Sequence, residues 1–175
     1  RIDDQIYYSG DGGVNWVHNG VQPQWTFMSN SFNSSNINEN IICLGGMELF
    51  RSTNNGDNWN LINNWYDYYN DPENKLHADI PEVRFFLDEN GDEFELISTD
   101  GGLYVSYDNL NSVENISLNG LGVSQYYSTY TLRTSPHHVY AGSQDQGFQR
   151  SNGDEGGILD FEQSISVDYG HLVSG

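Results

Sequence analysis

The sequence predicts an all-β chain made of β-propeller blades, each of four antiparallel strands (A-B-C-D), in an incomplete ring that is part of a larger propeller. Two observations predict it. A short serine-headed turn returns at a spacing of roughly 40–50 residues, the period of a four-stranded blade. Around each turn lie short runs rich in aromatic and β-branched residues, too closely spaced to hold a helix of ordinary length.

The turn is clearest in SGDGGVNW (9–16) and STNNGDNW (52–59), which both read Ser-x-(Asp/Asn)-x-Gly-x-x-Trp. Looser copies lie in LYVSYDNLNSVENI (103–116) and FQRSNGDEGGILDF (148–161). The anchoring serines are Ser9, Ser52, Ser106 and Ser151, giving spacings of 43, 54 and 45. Strands B and C are expected in NIICLGGMELFRS, EFELISTDGGLYVS and HVYAGSQDQGFQRS, each an apolar run, a Gly-containing turn and a second run. Strand A is expected upstream in QWTFMSN, PEVRFFLD and QYYSTYTLR, and strand D downstream in WNLINNW, VENISLN and FEQSIS. The expected blades therefore span about 22–64, 77–118 and 123–167, within one propeller domain covering 1–175. Residues 1–20 read as strands C and D of a preceding blade, and 168–175 as the start of the next. Propellers close with roughly four to eight blades, so a longer chain is expected. The wide second spacing comes from an insertion, WYDYYNDPENKLH.

Charge narrows the partners. Six Lys and Arg stand against 25 Asp and Glu, a formal charge of −19, which excludes a phosphate-binding surface and hence nucleic acid. Neutral or cationic partners suit this balance. Twelve Tyr and four Trp argue against acidic disorder. Cys43 stands alone, so no internal disulfide or cysteine zinc site is expected, and its apolar run reads as buried. The apolar stretch IICLGGM is too short for membrane insertion. Asn33 and Asn115 head Asn-x-Ser sequons.

Physically, the turn is a fold staple. Ser and Asp/Asn side chains can bond the turn backbone, Gly13 and Gly56 permit positive φ, and Trp16 and Trp59 can pin the hairpin against the sheet. It also resembles the Asp-box, or BNR repeat, of sialidases, sortilin-type receptors and xyloglucan-hydrolysing glycosidases. Ser9, Asp11, Gly13 and Trp16 match that motif, as do Ser52, Asn54, Gly56 and Trp59. The third copy keeps Ser106 and Asp108 but has Leu110 at the Gly position, and the fourth keeps Ser151 and little else. The resemblance implies that the boxes are structural and that ligands bind on the opposite face. His77-Ala78-Asp79, Thr99-Asp100-Gly101-Gly102 and Gln144-Asp145-Gln146-Gly147 are similar to elements of secreted bacterial propellers. Those are common in large proteins with a type IX sorting signal, which implies an extracellular or cell-surface location.

Because strand direction alternates, the B–C turns and D-to-A connections share the face opposite the boxes. There the sequence places His77, Asp79, Asp100, Gln144 and Asp145, either as a polar cluster or as caps of their own turns. The insertion adds Trp65, Tyr66, Tyr68 and Tyr69, which could stack sugars or a peptide or fold onto the adjacent blade. Asp88–Glu93 departs from a calcium loop and reads as a hairpin turn at Asn90-Gly91. His137 and His138 lack further ligands, so no metal and no cofactor are expected. The expected function is a glycan- or protein-binding or structural module, bounded by the remainder of its own propeller. The alternative is a xyloglucanase-like glycoside hydrolase using paired carboxylates among Asp79, Asp100 and Asp145.

Overall fold

The computed structural model describes residues 2–23, 31–117, 125–151, 161–165 and 168–172. The chain divides into two compact units, Arg1–Leu121 and Gly122–Gly175.

The first unit opens with a hairpin of β1 (Gln5–Tyr8) and β2 (Val17–Val21). A four-stranded antiparallel sheet follows in chain order: β3 (Phe32–Ser34), β4 (Ile42–Gly45), β5 (Leu49–Ser52) and β6 (Asn60–Leu61). The run QWTFMSN, expected as its first strand, lies outside the described residues. A 3-10 helix, Trp65–Asn70, occupies the insertion. The second sheet is β7 (Glu82–Leu87), β8 (Glu93–Thr99), β9 (Gly102–Ser106) and β10 (Glu114–Asn115), again in chain order. The Asn90-Gly91 turn forms as read: Gly91 has φ +86, and Asp88 Oδ1 accepts the amides of Asn90 and Asp92 at 2.8 and 2.9 Å.

These two sheets pack face to face, with first strand beside first strand. Asn33 Nδ2 donates to the Val83 carbonyl and Asn36 Nδ2 to that of Phe85. Between them, Ile41, Cys43 and Leu49 meet Val83, Phe85, Ile97 and Tyr104 in one apolar core. Cys43 is fully buried, and burial pushes its thiol up to about 12. Asn33 is thus spent on the seam. Asn115 is buried, with its amide on the Pro72 and Gly101 carbonyls, so both sequon side chains serve the fold.

The second unit is one antiparallel sheet of β11 (Tyr126–Thr131), β12 (Val139–Ser143), β13 (Gly147–Ser151) and β14 (Phe161–Ile165). Residues 168–172 then cross its end: the Tyr169 amide bonds the Ser143 carbonyl and the Leu172 amide the Ser128 hydroxyl. The crossing comes so close that a Cβ on Gly142 would run into the Gly170 and Tyr169 carbonyls. Unit one has a similar crossing, where the Ile80 amide bonds the Gly46 carbonyl at 2.7 Å and Ile80 Cγ2 would lie 2.8 Å from a Cβ on Gly45. Successive four-stranded antiparallel sheets, two of them crossed at one end by the segment that follows, are blades of a partial β-propeller.

The serine turns join β1 to β2, β5 to β6 and β9 to β10, and all three close alike. Ser9, Ser52 and Ser106 donate to Asp11, Asn54 and Asp108 at 2.9, 2.9 and 3.2 Å. Each hydroxyl accepts the amide four residues on, from Gly13, Gly56 and Leu110, at 2.7, 2.8 and 2.9 Å. Each Asp or Asn oxygen accepts a further amide, from Asn15, Asn58 and Ser112. The tryptophans sit close to their turns. Trp16 Nε1 donates back to the Gly13 carbonyl, and the rings of Trp16 and Trp59 lie against Gly13 and Gly56 of their own turns. For Trp16 the turn carbonyl is the acceptor within reach, so its ring caps the turn, whereas the buried Trp59 Nε1 has no hydrogen-bond partner. Ser151 donates to the His137 carbonyl and accepts the Val139 amide, while residues 152–160 of that copy lie outside the described residues.

Candidate functional site

The turns spend their polar groups on themselves and offer little for chemistry. The other end of the unit-one sheets carries the insertion, and several side chains hold it in place. Asn63 spans its base: Nδ2 donates to the Asn64 and Leu76 carbonyls, and Oδ1 accepts the Leu76 amide. At its start, Glu48 Oε1 accepts the Trp65 amide, and Asp67 Oδ2 accepts the Asn64 amide. At its far end, the Tyr104 hydroxyl and Asn115 Nδ2 both reach the Pro72 carbonyl, and the Asn115 amide bonds the Glu73 carbonyl at 2.7 Å. Tyr104 is buried, and burial raises its hydroxyl well above the ordinary phenol value. A loop tied at both ends to neighbouring sheets has lost most of its conformational entropy before any ligand arrives.

On this base the aromatics meet edge to face. Trp65 contacts Tyr66 and Tyr69 at 5.9 and 6.1 Å, Tyr68 contacts Tyr69 at 5.6 Å, and His77 sits under Tyr68 at 4.6 Å and Tyr69 at 6.5 Å. Edge-to-face pairs leave ring faces open, and Trp65, Tyr66 and Tyr69 are exposed at 38, 53 and 53%. His77 is buried, with Nδ1 on the Ala78 carbonyl. Its seat depends on Gly101, where any Cβ would run into His77 Cβ and Cγ.

The structure therefore brings together five of the expected residues: His77, Trp65, Tyr66, Tyr68 and Tyr69. Asp79 follows closely in sequence, half-buried, with φ +60 and its amide on the Met47 carbonyl. Asp100 is exposed beside Gly101. Gln144 and Asp145 belong to the second unit. There the Gln144 amide bonds the Gln125 carbonyl, and Asp145 has φ +58 with its amide on Asp168 Oδ1 at 2.9 Å. Gln149 and Gln163 both donate to the Gln146 carbonyl, so glutamines brace this turn. Among the described residues no three His, Cys, Asp or Glu side chains converge as metal ligands would. No described helix is long and apolar enough to cross a membrane.

Sequence reasoning passes over the residues that fasten the insertion. Asn63, Glu48 and Tyr104 carry no motif spacing, and the sequon headed by Asn115 says nothing of its bracing role. The signal that could have found the His77 seat is the Gly101-Gly102 doublet, because a backbone approached this closely admits only glycine.

No protein-family model matches the chain, and no curated relative matches it. Among solved structures it is similar to an ancestral GH74 enzyme, with a TM-score of 0.44 and 17% identity over 86% of this chain. It is also similar to YCF48 bound to D1 peptide, with a TM-score of 0.26 and 9% identity over 97% of this chain. The chain spans 20% of the first of those chains and 66% of the second. The strands themselves establish what the chain is at the level of fold: an all-β run of four-stranded antiparallel blades from a β-propeller.

Proposed function

We propose that this chain is a segment of a secreted or cell-surface β-propeller that binds a glycan or protein partner on its aromatic insertion. One observation carries the reading: Trp65, Tyr66 and Tyr69 are held open to solvent on a loop fastened at both ends. Exposed aromatics on a fixed base give stacking area at little entropic cost. The resemblance of the serine turns to Asp-boxes supports the same face, since in such families ligands bind opposite the boxes. The acids near the surface, Glu48, Asp67 and Asp71, and the net charge of −19 favour a neutral or cationic ligand.

Titration of the whole chain with neutral xyloglucan oligosaccharides, followed by Trp fluorescence and calorimetry, tests the glycan arm. Cross-linking through a photoreactive group at position 66 tests the protein arm. Trp65→Ala and Tyr69→Ala are expected to weaken binding at least about fivefold, the loss of more than about 1 kcal/mol typical of a buried aromatic anchor. Trp16→Ala is expected to leave binding unchanged. Binding that ignores positions 65 and 69 would overturn the assignment.

A further inference from the structure

Glu95 is a buried acid with no role in that surface. It lies on β8, opposite Phe85 on β7 and Ser106 on β9, with no solvent exposure. Its neighbour two along, Ile97, is in the core shared with the preceding sheet. In that preceding sheet the matching position, opposite Ser52, is Ile42. An acid thus stands where its counterpart blade carries an aliphatic side chain.

Neither carboxylate oxygen of Glu95 has a hydrogen-bond partner. The two donors nearest it, the Ser106 hydroxyl and the Leu110 amide, bond Asp108 and Ser106 and so relieve it only in part. The charges around it give no relief. Glu93 and Asp108 repel its ionised form from its own sheet, and Cys43 on β4, in the core across the seam, feels its charge. Arg51 on β5 sends its guanidinium to the Asn109 carbonyl instead and makes no ion pair with Glu95. Burial above all, then Glu93, holds the Glu95 carboxyl above its ordinary value, with the Ser106 hydroxyl opposing in part. A dry, unpaired carboxylate is costly, so the site favours the neutral acid.

We infer that Glu95 is a pH-sensitive lock on the seam between the β3–β6 and β7–β10 sheets: protonated, it lets the two blades pack, and ionised, it loosens them. The sign follows from linkage. A carboxyl raised in the folded state contributes stability that is full below its ordinary value of 4.5 and is lost as pH rises through the folded value. Asp11 and Asp108, held low in their turns, act in the opposite direction and at more acid pH.

The test uses the full chain and its Glu95→Gln variant, followed by thermal unfolding from about pH 4 to pH 8. Parent and variant are expected to converge at the acid end, with the parent falling below the variant as pH rises. Parallel curves would overturn the lock. A second readout comes from Cys43, the only thiol, buried in the same seam. Its alkylation in the parent is expected to climb more steeply than the limit of about tenfold per pH unit set by thiolate formation. If the variant fails to fold, that slope decides alone: at or below the thiolate limit, the inference is wrong.

Discussion

The amide of Leu110 donates to the Ser106 hydroxyl at 2.9 Å, so a leucine makes the bond that Gly56 makes to Ser52. Leu110 adopts φ +61 to do so, and the preceding Asn109 matches Asn55 at φ +58 and +59. A left-handed leucine costs roughly 1–2 kcal/mol. Leu110 is also only 1% exposed, in the core between the sheets, and truncating such a side chain typically costs about 2–5 kcal/mol. Burial therefore outweighs strain.

That balance predicts an unusual order. Leu110→Ala loses the packing and keeps the backbone cost, so it should destabilise by about 2–5 kcal/mol. Leu110→Gly loses the packing and relieves the strain, so it should unfold no earlier than the alanine variant. Urea unfolding of both variants decides this. A glycine variant clearly weaker than alanine would mean the backbone is not under strain.

Acid should weaken the turns. The Asn15 amide and side chain, with the Ser9 hydroxyl, hold Asp11 at about 2. Asp108 is also lowered: burial pushes it up, but Ser112, Ser106 and Asn111 together outweigh that. Groups lowered on folding contribute stability present above about 3.8 and lost as pH falls toward the folded value. Asn54 accepts the matching serine hydroxyl and backbone amide with no proton to gain, so Asp108→Asn is expected to keep the turn and shift the acid unfolding midpoint downward. An unchanged acid limb would remove the turns from the account of acid stability.

Gly101→Ala should be destabilising by about 1–3 kcal/mol, because the added methyl meets the buried His77 ring and not a mobile side-chain end. Its second effect is local. Displacing His77 removes the support under Tyr68 and Tyr69, so Tyr fluorescence and ligand affinity should fall together. A stable variant with unchanged affinity would show that His77 is not part of the platform.

Asn63→Ala removes three hydrogen bonds that close the base of the insertion. It leaves the Asn64 and Leu76 groups short of partners, at a cost of about 1–3 kcal/mol. Limited proteolysis should then cut within 65–76 first, while the sheets stay intact. Cleavage at the β8–β9 turn first would contradict the bracing role.

The blade pattern was legible because turn chemistry is local. The Ser–Asp–Gly spacing alone determines which amides the side chains reach, so 9–16 and 52–59 could be read directly. Leu110 was legible as a departure, but not as a residue that forms the same turn, because the compensation comes from the core of two sheets. The run Phe94-Glu95-Leu96-Ile97 did not reveal its buried acid either. Both faces of that strand carry apolar residues, so alternation could not say which one was dry. The aromatics of the insertion were visible as a composition, whereas their bracing by Asn63, Tyr104 and Asn115 depends on contacts up to 43 residues apart.

Hydrogen–deuterium exchange of the whole chain, with and without a saturating neutral xyloglucan oligosaccharide, tests the central claim most directly. The account predicts new protection across 65–80 and 98–102, with the turns at 9–16, 52–59 and 106–112 unchanged. Protection confined to the serine turns, with none at the aromatic insertion, would contradict it.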